Sequence, residues 1–276
     1  MVKQIAYLGP AGTFTEAAAL LYDPEAQLIP FPSVAAVAEA VDSGTAEEGV
    51  VPIENSLEGS VTDTLDLLIH DSKLSIRHEI VIPIEHCLLG KPGGSAQEVA
   101  LIYSHPQALA QCRRFIAKSF PKAQAVAALS TAAAVEDMLE SKSPAAAIAN
   151  SRAAEIYGAD ILAQGIQDSS ANHTRFVVLA HHDHPPTGRD KTSLCFYFND
   201  DRAGMLYSVM GHFATRNINL AKVESRPNKE SLGRYIFLVD LDGHQEDASV
   251  QEALNSIEAE VSVLKIFGSY PRYQGT

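Results

Sequence analysis

The sequence has few cysteines and no long apolar run. Its 276 residues include three cysteines, Cys87, Cys112 and Cys195, an odd number at distant positions. This pattern predicts free thiols in a reducing cytoplasm and argues against a disulfide framework. No apolar run approaches the roughly 20 residues of a membrane-spanning helix. The strand pattern Gln4 to Leu8 begins almost at the first residue, so we expect no signal peptide.

Basic residues are scarce relative to acidic ones. The chain has 21 lysines and arginines against 34 aspartates and glutamates, which gives a formal net charge of −13. A balance of this sign argues against nucleic acid and anionic membranes as partners. If the ligand is an anion, local donors must attract it, because the field of the whole protein is repulsive.

The known nucleotide and metal signatures are incomplete in this chain. The turn Gly9 to Glu16 lacks the third glycine of a dinucleotide fingerprint and the lysine of a P-loop. What remains is a helix N-terminus behind a tight turn, which is either a modest anion site or only a capped turn. His181, His182 and His184 lie in a proline-bearing segment without matching cysteines or carboxylates, so we predict no metal site.

Most of the chain alternates short apolar runs with helical patterns, which predicts an α/β fold with mainly parallel sheets. Ser33, Ser104 and Ser130 are expected to cap the helices that follow them. The series restarts near Ala100, so two lobes fit this pattern better than one sheet. The composition of residues 181–191 predicts a linker. The last part of the chain then has the order βαββαβ, which is the split βαβ or ferredoxin-like motif.

The polar segment Ala171 to Phe176 comes directly before the apolar run Val177 to Ala180, which indicates a buried strand. In α/β folds, a loop that enters a sheet is a common place for a ligand site. Asn172 offers an amide, Thr174 a hydroxyl, and Arg175 a planar fork of donors suited to a carboxylate. Together they could protonate one group of a ligand and hold another. Alternatively, the segment is a capped turn with Arg175 in a surface ion pair.

Two further donor-rich turns lie between a predicted strand and a predicted helix. One contains Glu54, Asn55 and Glu58, and the other is the run Ser104 to Ala108. The two glutamates suggest acid–base work, but a structural or orienting role is favoured, because a nearby carboxylate repels an anionic substrate. The recurrence of such turns at corresponding places predicts a binding cleft.

Four ordered motifs together resemble the prephenate dehydratase family over nearly the whole chain. They are Tyr7-Leu8-Gly9-Pro10 with Gly12-Thr13-Phe14-Thr15-Glu16, Pro52-Ile53-Glu54-Asn55-Ser56 with Glu58-Gly59-Ser60-Val61, Ser104-His105-Pro106-Gln107-Ala108-Leu109, and Asn172 with Thr174-Arg175-Phe176. The C-terminal part resembles an ACT regulatory domain, marked by Glu224-Ser225-Arg226-Pro227. One departure is Met205, where the family usually has alanine, and this change could alter effector affinity or selectivity. Since no room remains for a fused chorismate mutase domain, we expect the stand-alone form.

The resemblance implies that prephenate is converted to phenylpyruvate, water and carbon dioxide in L-phenylalanine biosynthesis, without a cofactor or a metal. Loss of carbon dioxide pushes electrons through the ring, and hydroxide leaves from the far side. Hydroxide is a poor leaving group, so the family's catalytic threonine, which is Thr174 here, would donate a proton in concert with C–O cleavage or through a water relay. The resemblance implies that substrate is bound by Gly12, Thr13, Phe14, Asn55, Ser56, Ser104, His105, Gln107, Ala108, Asn172, Arg175 and Phe176.

Within this set, two kinds of role are implied. Arg175 and the turn N–H groups would hold the two carboxylates of prephenate, so replacing Arg175 is expected chiefly to weaken substrate binding. Phe14 and Phe176 would keep water away from the departing carboxylate.

The resemblance also implies a two-lobed catalytic domain of the periplasmic-binding-protein type II kind at residues 3–180, a linker at 181–191 and an ACT domain at 192–271. The family's ACT domains pair in a homo-oligomer, here a homodimer or homotetramer, and bind L-phenylalanine at the interface. Binding there would shift the catalytic lobes between open and closed states. The effector positions that match are Gly204, Met205, Leu206, Asn217, Ile218, Asn219, Leu220, Glu224, Ser225, Arg226 and Pro227.

Two alternatives stay open at this point. An arogenate dehydratase would need a site that tolerates an ammonium group, which the sequence does not exclude. A non-catalytic amino-acid sensor would use the two-lobed fold only to bind. The pair of Thr174 and Arg175 and the recurring donor turns favour an enzyme over a sensor.

We predict that Thr174→Ala lowers kcat by about 100-fold or more with little change in KM, because the hydroxyl acts in the transition state. Steady-state kinetics with prephenate measure both constants. Near-normal turnover by the variant would contradict the assignment of Thr174.

Overall fold

The structure is a computed structural model that describes residues 2–199, 202–229 and 234–274. The chain forms two compact units. The first unit comprises the residues up to Val61 together with Val81–Phe176, and the second comprises Thr62–Ile80 together with the chain from Val177 onward. Residues 62–80 therefore group with the C-terminal part of the chain. The expected domain limits 3–180, 181–191 and 192–271 stay a prediction, and residues 200–201 and 230–233 of the last range lie outside the described residues.

Strands and helices alternate along most of the chain. The first series is β1 (Gln4–Leu8), α1 (Phe14–Tyr22), β2 (Gln27–Phe31), α2 (Val34–Asp42), β3 (Glu48–Asn55), β4 (Gly59–Ser60), α3 (Thr62–Asp66), a π-helical turn (Leu67–Asp71) and β5 (Ser75–Pro83). The second series is β6 (Cys87–Gly90), a 3-10 turn (Ala96–Glu98), β7 (Leu101–Ser104), α4 (Pro106–Gln111), α5 (Arg113–Ser119), β8 (Gln124–Ala127), α6 (Thr131–Glu140), β9 (Ala145–Ala149), α7 (Ser151–Tyr157) and β10 (Asp160–Ala163). The last series is β11 (His173–Ala180), β12 (Asp190–Tyr197), α8 (Met205–Thr215), β13 (Leu220–Pro227), β14 (Tyr235–Asp242), α9 (Ala248–Glu258) and β15 (Val263–Pro271).

The first sheet has the strand order β2-β1-β3-β11-β5, with the short strand β4 paired to β3. Strand β1 pairs in parallel with both β2 and β3. Its central residues Ile5, Ala6 and Tyr7 are at most 2% exposed. A central strand of a parallel sheet is covered on both faces, which explains the continuous apolar run in its sequence.

The second sheet has the strand order β10-β6-β9-β7-β8. Strand β9 is the run Ala145-Ala146-Ala147-Ile148-Ala149 and is buried throughout. Its odd-numbered residues share a core with Val135 and Met138 of α6, while its even-numbered residues share a core with Ala108 and Cys112 at α4. Successive side chains of a strand point to opposite faces, so helices cover both faces of β9. The alanines allow these helices to lie close to the sheet.

The chain passes between the two sheets twice. It leaves the first sheet after β5 to enter the second at β6, and it returns from β10 into β11. A hydrogen bond of 2.8 Å from the N–H of Ile84 to the carbonyl of Asn172 joins the two crossing segments. The two-lobed α/β architecture predicted from the restart near Ala100 is confirmed. Its double crossing brings residues that are distant in sequence to one place.

The C-terminal sheet has the order β13-β14-β12-β15, and all neighbouring strands are antiparallel. Helices α8 and α9 share a core with this sheet through Phe213, Ile257, Leu194 and Phe196. The element order is βαββαβ, so the predicted ferredoxin-like motif is confirmed.

Two polar residues lie inside strands where the sequence predicted a helix cap and a loop. Ser104 does not cap α4 but ends β7, where it is fully buried and donates its hydroxyl to the carbonyl of Ile148 at 2.6 Å. The N-cap is His105, whose Nδ1 accepts a hydrogen bond from the N–H of Gln107 at 3.3 Å. Likewise, Thr174 lies inside β11 and not in a loop before it. In both places the neighbouring strands override the local polar pattern.

A buried ion pair within the second unit gives a test of the fold. The Nζ of Lys191 lies 2.9 and 2.7 Å from the two carboxylate oxygens of Glu79, and the two side chains are 11% and 2% exposed. We predict that Lys191→Met lowers the free energy of unfolding by about 3–5 kcal/mol, because Glu79 then stays buried without this cation. Urea unfolding measures the loss. Lys73→Met, which replaces an exposed lysine, is the control, and equal effects of the two substitutions would contradict the prediction.

Candidate active site

A cavity of about 380 Å³ lies in the first unit. Its walls come from the turns after β1, β3 and β7, from the start of α6 and from the two crossing segments. The predicted site residues that line it are Thr13, Phe14, Asn55, His105, Gln107, Ala108, Thr174 and Phe176. The double crossing thus gathers the separate sequence motifs around one space.

The carboxamide of Asn55 is oriented by the backbone of its own turn. Its Oδ1 accepts hydrogen bonds from the N–H groups of Leu57 at 3.0 Å and Glu58 at 3.1 Å. Its Nδ2 consequently donates to Oγ1 of Thr174 and to Oδ1 of Asn172, both at 2.8 Å. Because a backbone N–H can only donate, the amide cannot be reversed without losing both contacts.

The hydroxyl of Thr174 therefore acts as an acceptor toward Asn55. The residue is 8% exposed and lines the cavity. In the described part of the chain, its hydroxyl hydrogen meets no protein acceptor within bonding distance. A hydroxyl carries one hydrogen, so the proton of Thr174 stays available to a group inside the cavity.

Hydrogen bonds also fix the orientation of the next side chains in the series, from Asn172 to Gln111 and His86. Nδ2 of Asn172 donates to Oε1 of Gln111 at 2.9 Å, and Nε2 of His86 lies 3.0 Å from the same oxygen. Since a carbonyl oxygen has no hydrogen, Nε2 of His86 must be the donor. His86 is 2% exposed, and burial lowers its pKa, while its hydrogen bond with Gln111 acts in the opposite direction. We call this series from Asn55 through Asn172 and Gln111 to His86 the amide chain.

The cavity is almost free of ionisable groups. Among the described residues that line it there is no lysine, arginine, aspartate or glutamate, and its titratable side chains are His86 and His105. The N-terminal ends of α1 and α6 reach it at Thr13 and Ser130, the caps of these helices. Helix N-termini present partial positive charge, so the donors around the cavity are uncharged but suited to an anion.

Arg175 does not line the cavity. Its Nη2 lies 2.9 Å from Oε2 of Glu54, and the residue is 9% exposed. The ion pair considered as an alternative is present, but the arginine is buried and not at the surface. Glu54 thus makes the kind of orienting contact favoured for it. The prediction that Arg175 binds a substrate carboxylate receives no support from this position.

The remaining predicted residues do not line the cavity but contact the segments that do. Gly12 has φ +83, a conformation that favours glycine, and its N–H donates to the carboxylate of Glu16. A Cβ at Gly12 would lie 3.2 Å from the backbone of Ala153. Ser56 donates its hydroxyl to the carbonyl of Ala171 at 3.0 Å and fixes the strand that carries Thr174. These residues, like Ser104 and Asn172, hold the cavity without lining it.

Several lining residues were not predicted as site residues from the sequence. They are Leu8, Gly9, Thr15, Pro32, Pro52, Ile84, His86, Gln111, Leu129, Ser130 and Thr131. Ser130 and Thr131 carried a helix-cap signal between a strand and a helix, which could have placed them with the other donor turns. His86 and Gln111 carry no local signal, because their partners are distant in sequence.

Comparison with known proteins decides the family. A family model described as prephenate dehydratase matches residues 5–184, and an ACT domain model matches residues 194–259. The chain belongs to the prephenate dehydratase family. The bifunctional chorismate mutase/prephenate dehydratase of Aquifex aeolicus is 44% identical over 98% of this chain and 74% of that protein. Arogenate dehydratase 1 of Petunia hybrida is 38% identical over 97% of this chain and 66% of that protein.

A solved structure agrees with this membership. Prephenate dehydratase of Arthrobacter aurescens in complex with L-Phe has a TM-score of 0.90 and 36% sequence identity, covering 98% of this chain and 90% of that one. Because the chain belongs to this family, the cavity described above is its candidate active site.

The predicted effector positions lie on three parts of the ACT domain. Gly204, with φ +91, caps α8, whose first residues are Met205 and Leu206. Asn217 to Leu220 follow the other end of the helix, and Asn219 donates to Asp242 at 3.0 Å. Glu224, Ser225, Arg226 and Pro227 lie on β13. An α-helix of 11 residues spans about 16 Å, so a single chain does not bring its two ends together.

Other predictions concern thiols, metals and membranes. Cys87, Cys112 and Cys195 are free and buried, and burial raises the pKa of Cys112 and Cys195 to about 12. A location in the reducing cytoplasm stays a prediction. Within residues 2–199, 202–229 and 234–274, no group of three or more His, Cys, Asp or Glu side chains is placed to hold a metal ion. None of the helices in these ranges has the length and apolar character that a membrane span requires.

The position of Arg175 changes what its substitution should do. We predict that Arg175→Leu lowers the free energy of unfolding by about 1–3 kcal/mol, because the ion pair between Arg175 and Glu54 is lost, with at most a small change in KM. Arg175→Leu combined with Glu54→Gln should recover part of this loss. A double-mutant cycle by urea unfolding measures the coupling. A large rise in KM at unchanged stability would instead assign Arg175 to the substrate carboxylate.

Proposed function

We propose that this protein is a prephenate dehydratase in which Thr174 assists the departure of the ring hydroxyl and L-phenylalanine regulates turnover. The observation that carries the proposal is the hydrogen bond of 2.8 Å from Asn55 to Thr174. This bond occupies the hydroxyl as an acceptor and leaves its proton for a ligand in the cavity. The membership in the prephenate dehydratase family supports the same reaction.

The proton balance of the reaction defines what Thr174 has to do. Prephenate, a dianion, and one proton give the phenylpyruvate anion, carbon dioxide and water. The C–C bond to the departing carboxylate breaks and its electron pair enters the ring, while the C–O bond breaks and its pair leaves with the hydroxyl oxygen. A threonine alkoxide is about as basic as hydroxide, so Thr174 cannot be the net proton source. It donates a hydrogen bond to the departing oxygen and keeps its own proton over the cycle, while the one proton that the balance consumes comes from the solvent and turns the departing hydroxide into water.

The walls of the cavity suit the two carboxylates of prephenate. The starts of α1 and α6 offer N–H donors and hydroxyls at Thr13 and Ser130. Phe14 and Phe176 provide apolar surface beside them. The lack of a permanent cation is useful at the departing carboxylate, because a strong ion pair there would stabilise the ground state against loss of carbon dioxide.

The choice between prephenate and arogenate depends on one substituent. Arogenate carries an ammonium group where prephenate has a ketone. In the part of the chain that the structure describes, no aspartate or glutamate lines the cavity. A buried ammonium without a carboxylate partner is costly, so the lining favours prephenate.

Regulation is proposed to require a second copy of the chain. The two ends of α8 are too far apart to form one effector site within a single ACT domain. Leu206, Tyr207, Val223 and Tyr235 are exposed on this domain at 37%, 84%, 50% and 47%. Apolar surface of this kind is suited to an interface between ACT domains. We therefore propose a homodimer or homotetramer that binds L-phenylalanine between ACT domains.

A spectroscopic assay tests the function directly. Purified protein is expected to produce phenylpyruvate from prephenate with a kcat/KM at least 10-fold above that for arogenate, and added L-phenylalanine should change the rate. Thr174→Ser, which keeps the hydroxyl, should retain far more activity than Thr174→Val, which keeps the shape. Light scattering of the same samples measures the oligomer.

The outcomes separate the competing functions. A higher kcat/KM for arogenate would identify an arogenate dehydratase. Binding of amino acids without turnover of either substrate would identify a sensor. Equal activity of Thr174→Ser and Thr174→Val would remove Thr174 from the mechanism while leaving the dehydratase function intact.

A further inference from the structure

His86 is a buried imidazole in the wall of the cavity that the reaction described above does not use. It lies between β5 and β6 on the first crossing segment, 2% exposed, with its ring edge-on to Phe14 at 5.6 Å. One ring nitrogen, Nε2, is engaged with Gln111. Within the described residues, the other nitrogen, Nδ1, is buried and has no hydrogen-bond partner.

The amide chain fixes which nitrogen of His86 carries the hydrogen. The backbone N–H groups of Leu57 and Glu58 orient the amide of Asn55, and Asn55 orients the amide of Asn172. Asn172 donates to the side-chain oxygen of Gln111, and this oxygen is the one that faces His86. Nε2 therefore keeps its hydrogen in both charge states of the ring. Any proton that His86 gains must bind at Nδ1, where the protein offers no acceptor among the described residues.

The substrate brings two negative charges into a cavity without a fixed cation. The other titratable group of the lining is His105, which is only half-buried and whose Nδ1 already accepts the N–H of Gln107 at 3.3 Å. A dianion that leaves water needs a counter-charge, or its desolvation weakens binding. Among the described residues that line the cavity, His86 is the deeply buried side chain that can gain a positive charge and so become this counter-charge.

We propose that His86 takes up a proton at Nδ1 when substrate binds and serves as the counter-charge of the carboxylate that phenylpyruvate retains. This inference rests on the proposed dehydratase function. A cation beside the other carboxylate would oppose the loss of carbon dioxide, so His86 must serve the retained one. The product keeps this group, and its binding takes up the proton as well.

The direction of the pH dependence follows from the two states of His86. In the free protein burial holds the pKa of His86 below its ordinary value, and the bound carboxylate raises it. Affinity is therefore full below the pKa of the free protein and is lost as the pH rises through the pKa of the complex. The titratable groups on the elements around His86 are Glu85 and Cys87 beside it, His105 and Cys112 at the ends of α4, Glu16 on α1 and Asp168 beside Gln167. The carboxylates of Glu16 and Asp168 accept backbone N–H groups of Gly12 and Arg114.

Calorimetry tests the proposal without turnover. Phenylpyruvate is titrated into the full-length protein, and prephenate into the Thr174→Ala variant, at about pH 7.5 in buffers with different ionisation enthalpies. The slope of the binding enthalpy against the ionisation enthalpy gives the number of protons taken up. We expect an uptake approaching one proton per site, and a KM for prephenate that rises as the pH increases from the pKa of His86 in the free protein to its raised pKa in the complex.

Two substitutions separate the counter-charge from the hydrogen bond to Gln111. His86→Gln keeps a donor near the position of Nε2, and His86→Asn keeps one near Nδ1, but neither can be protonated. Both should abolish proton uptake and the pH dependence of KM, and His86→Gln should raise KM about 10-fold with a smaller effect on kcat. Thermal unfolding checks that each variant is folded. His105→Gln is the control and should retain the proton uptake.

The proposal is overturned by any of three results. They are no proton uptake by the unmodified protein, an uptake that persists in His86→Gln, and an uptake that His105→Gln removes. A merely structural role of His86 would appear as recovery of normal KM and normal pH dependence in His86→Gln. Absence of phenylpyruvate formation by the unmodified protein would contradict the dehydratase function itself, which is a separate measurement.

Discussion

The amide chain is the constraint on which the candidate site depends. A carboxamide has two ends of nearly the same shape, and only its partners determine which end faces which way. Here the two backbone N–H groups of one turn orient Asn55, and each following amide is oriented by the one before it. The donor role of Thr174 and the tautomer of His86 both follow from the backbone geometry of that turn. The hydroxyl of Thr174 thus keeps its hydrogen for a group in the cavity, and no lysine, arginine, aspartate or glutamate is among the described residues that line this cavity.

Among the described residues, no lysine or arginine lines the cavity, so the site has no permanent cation. The chain carries a formal charge of −13, and its substrate is a dianion, yet the guanidinium nearest to Thr174 in sequence is paired with Glu54 at 2.9 Å. A guanidinium inside the cavity would bind the departing carboxylate most strongly before reaction, when its charge is greatest, and would raise the barrier. Helix N-termini and neutral amides bind an anion more weakly but with less opposition to its loss. The pairing of Arg175 with Glu54 is thus compatible with catalysis.

The sequence predicted most of the fold because its signals are local. Ser33 and Ser130 cap the helices that follow them, as expected, and strand β9 is covered on both faces, as its unbroken apolar run implies. The prediction of local structure is wrong where hydrogen bonds to a strand distant in sequence determine the conformation. Ser104 is drawn into β7 by a hydrogen bond to Ile148, and the start of β11 takes in polar residues that resemble a loop.

The same distinction applies to the candidate site. The motif turns predicted Asn55 and Thr174 separately, but not the bond between them, and they gave no sign of Gln111 or His86. Asn55 and Thr174 each lie a few residues before a point where the chain passes from the first compact unit to the second, namely after Val61 and after Phe176. A hydrogen bond of 2.8 Å weakens when its atoms separate by a few tenths of an ångström. A shift of β3 or β11 by this amount would therefore weaken the bond that orients the hydroxyl proposed to assist the reaction.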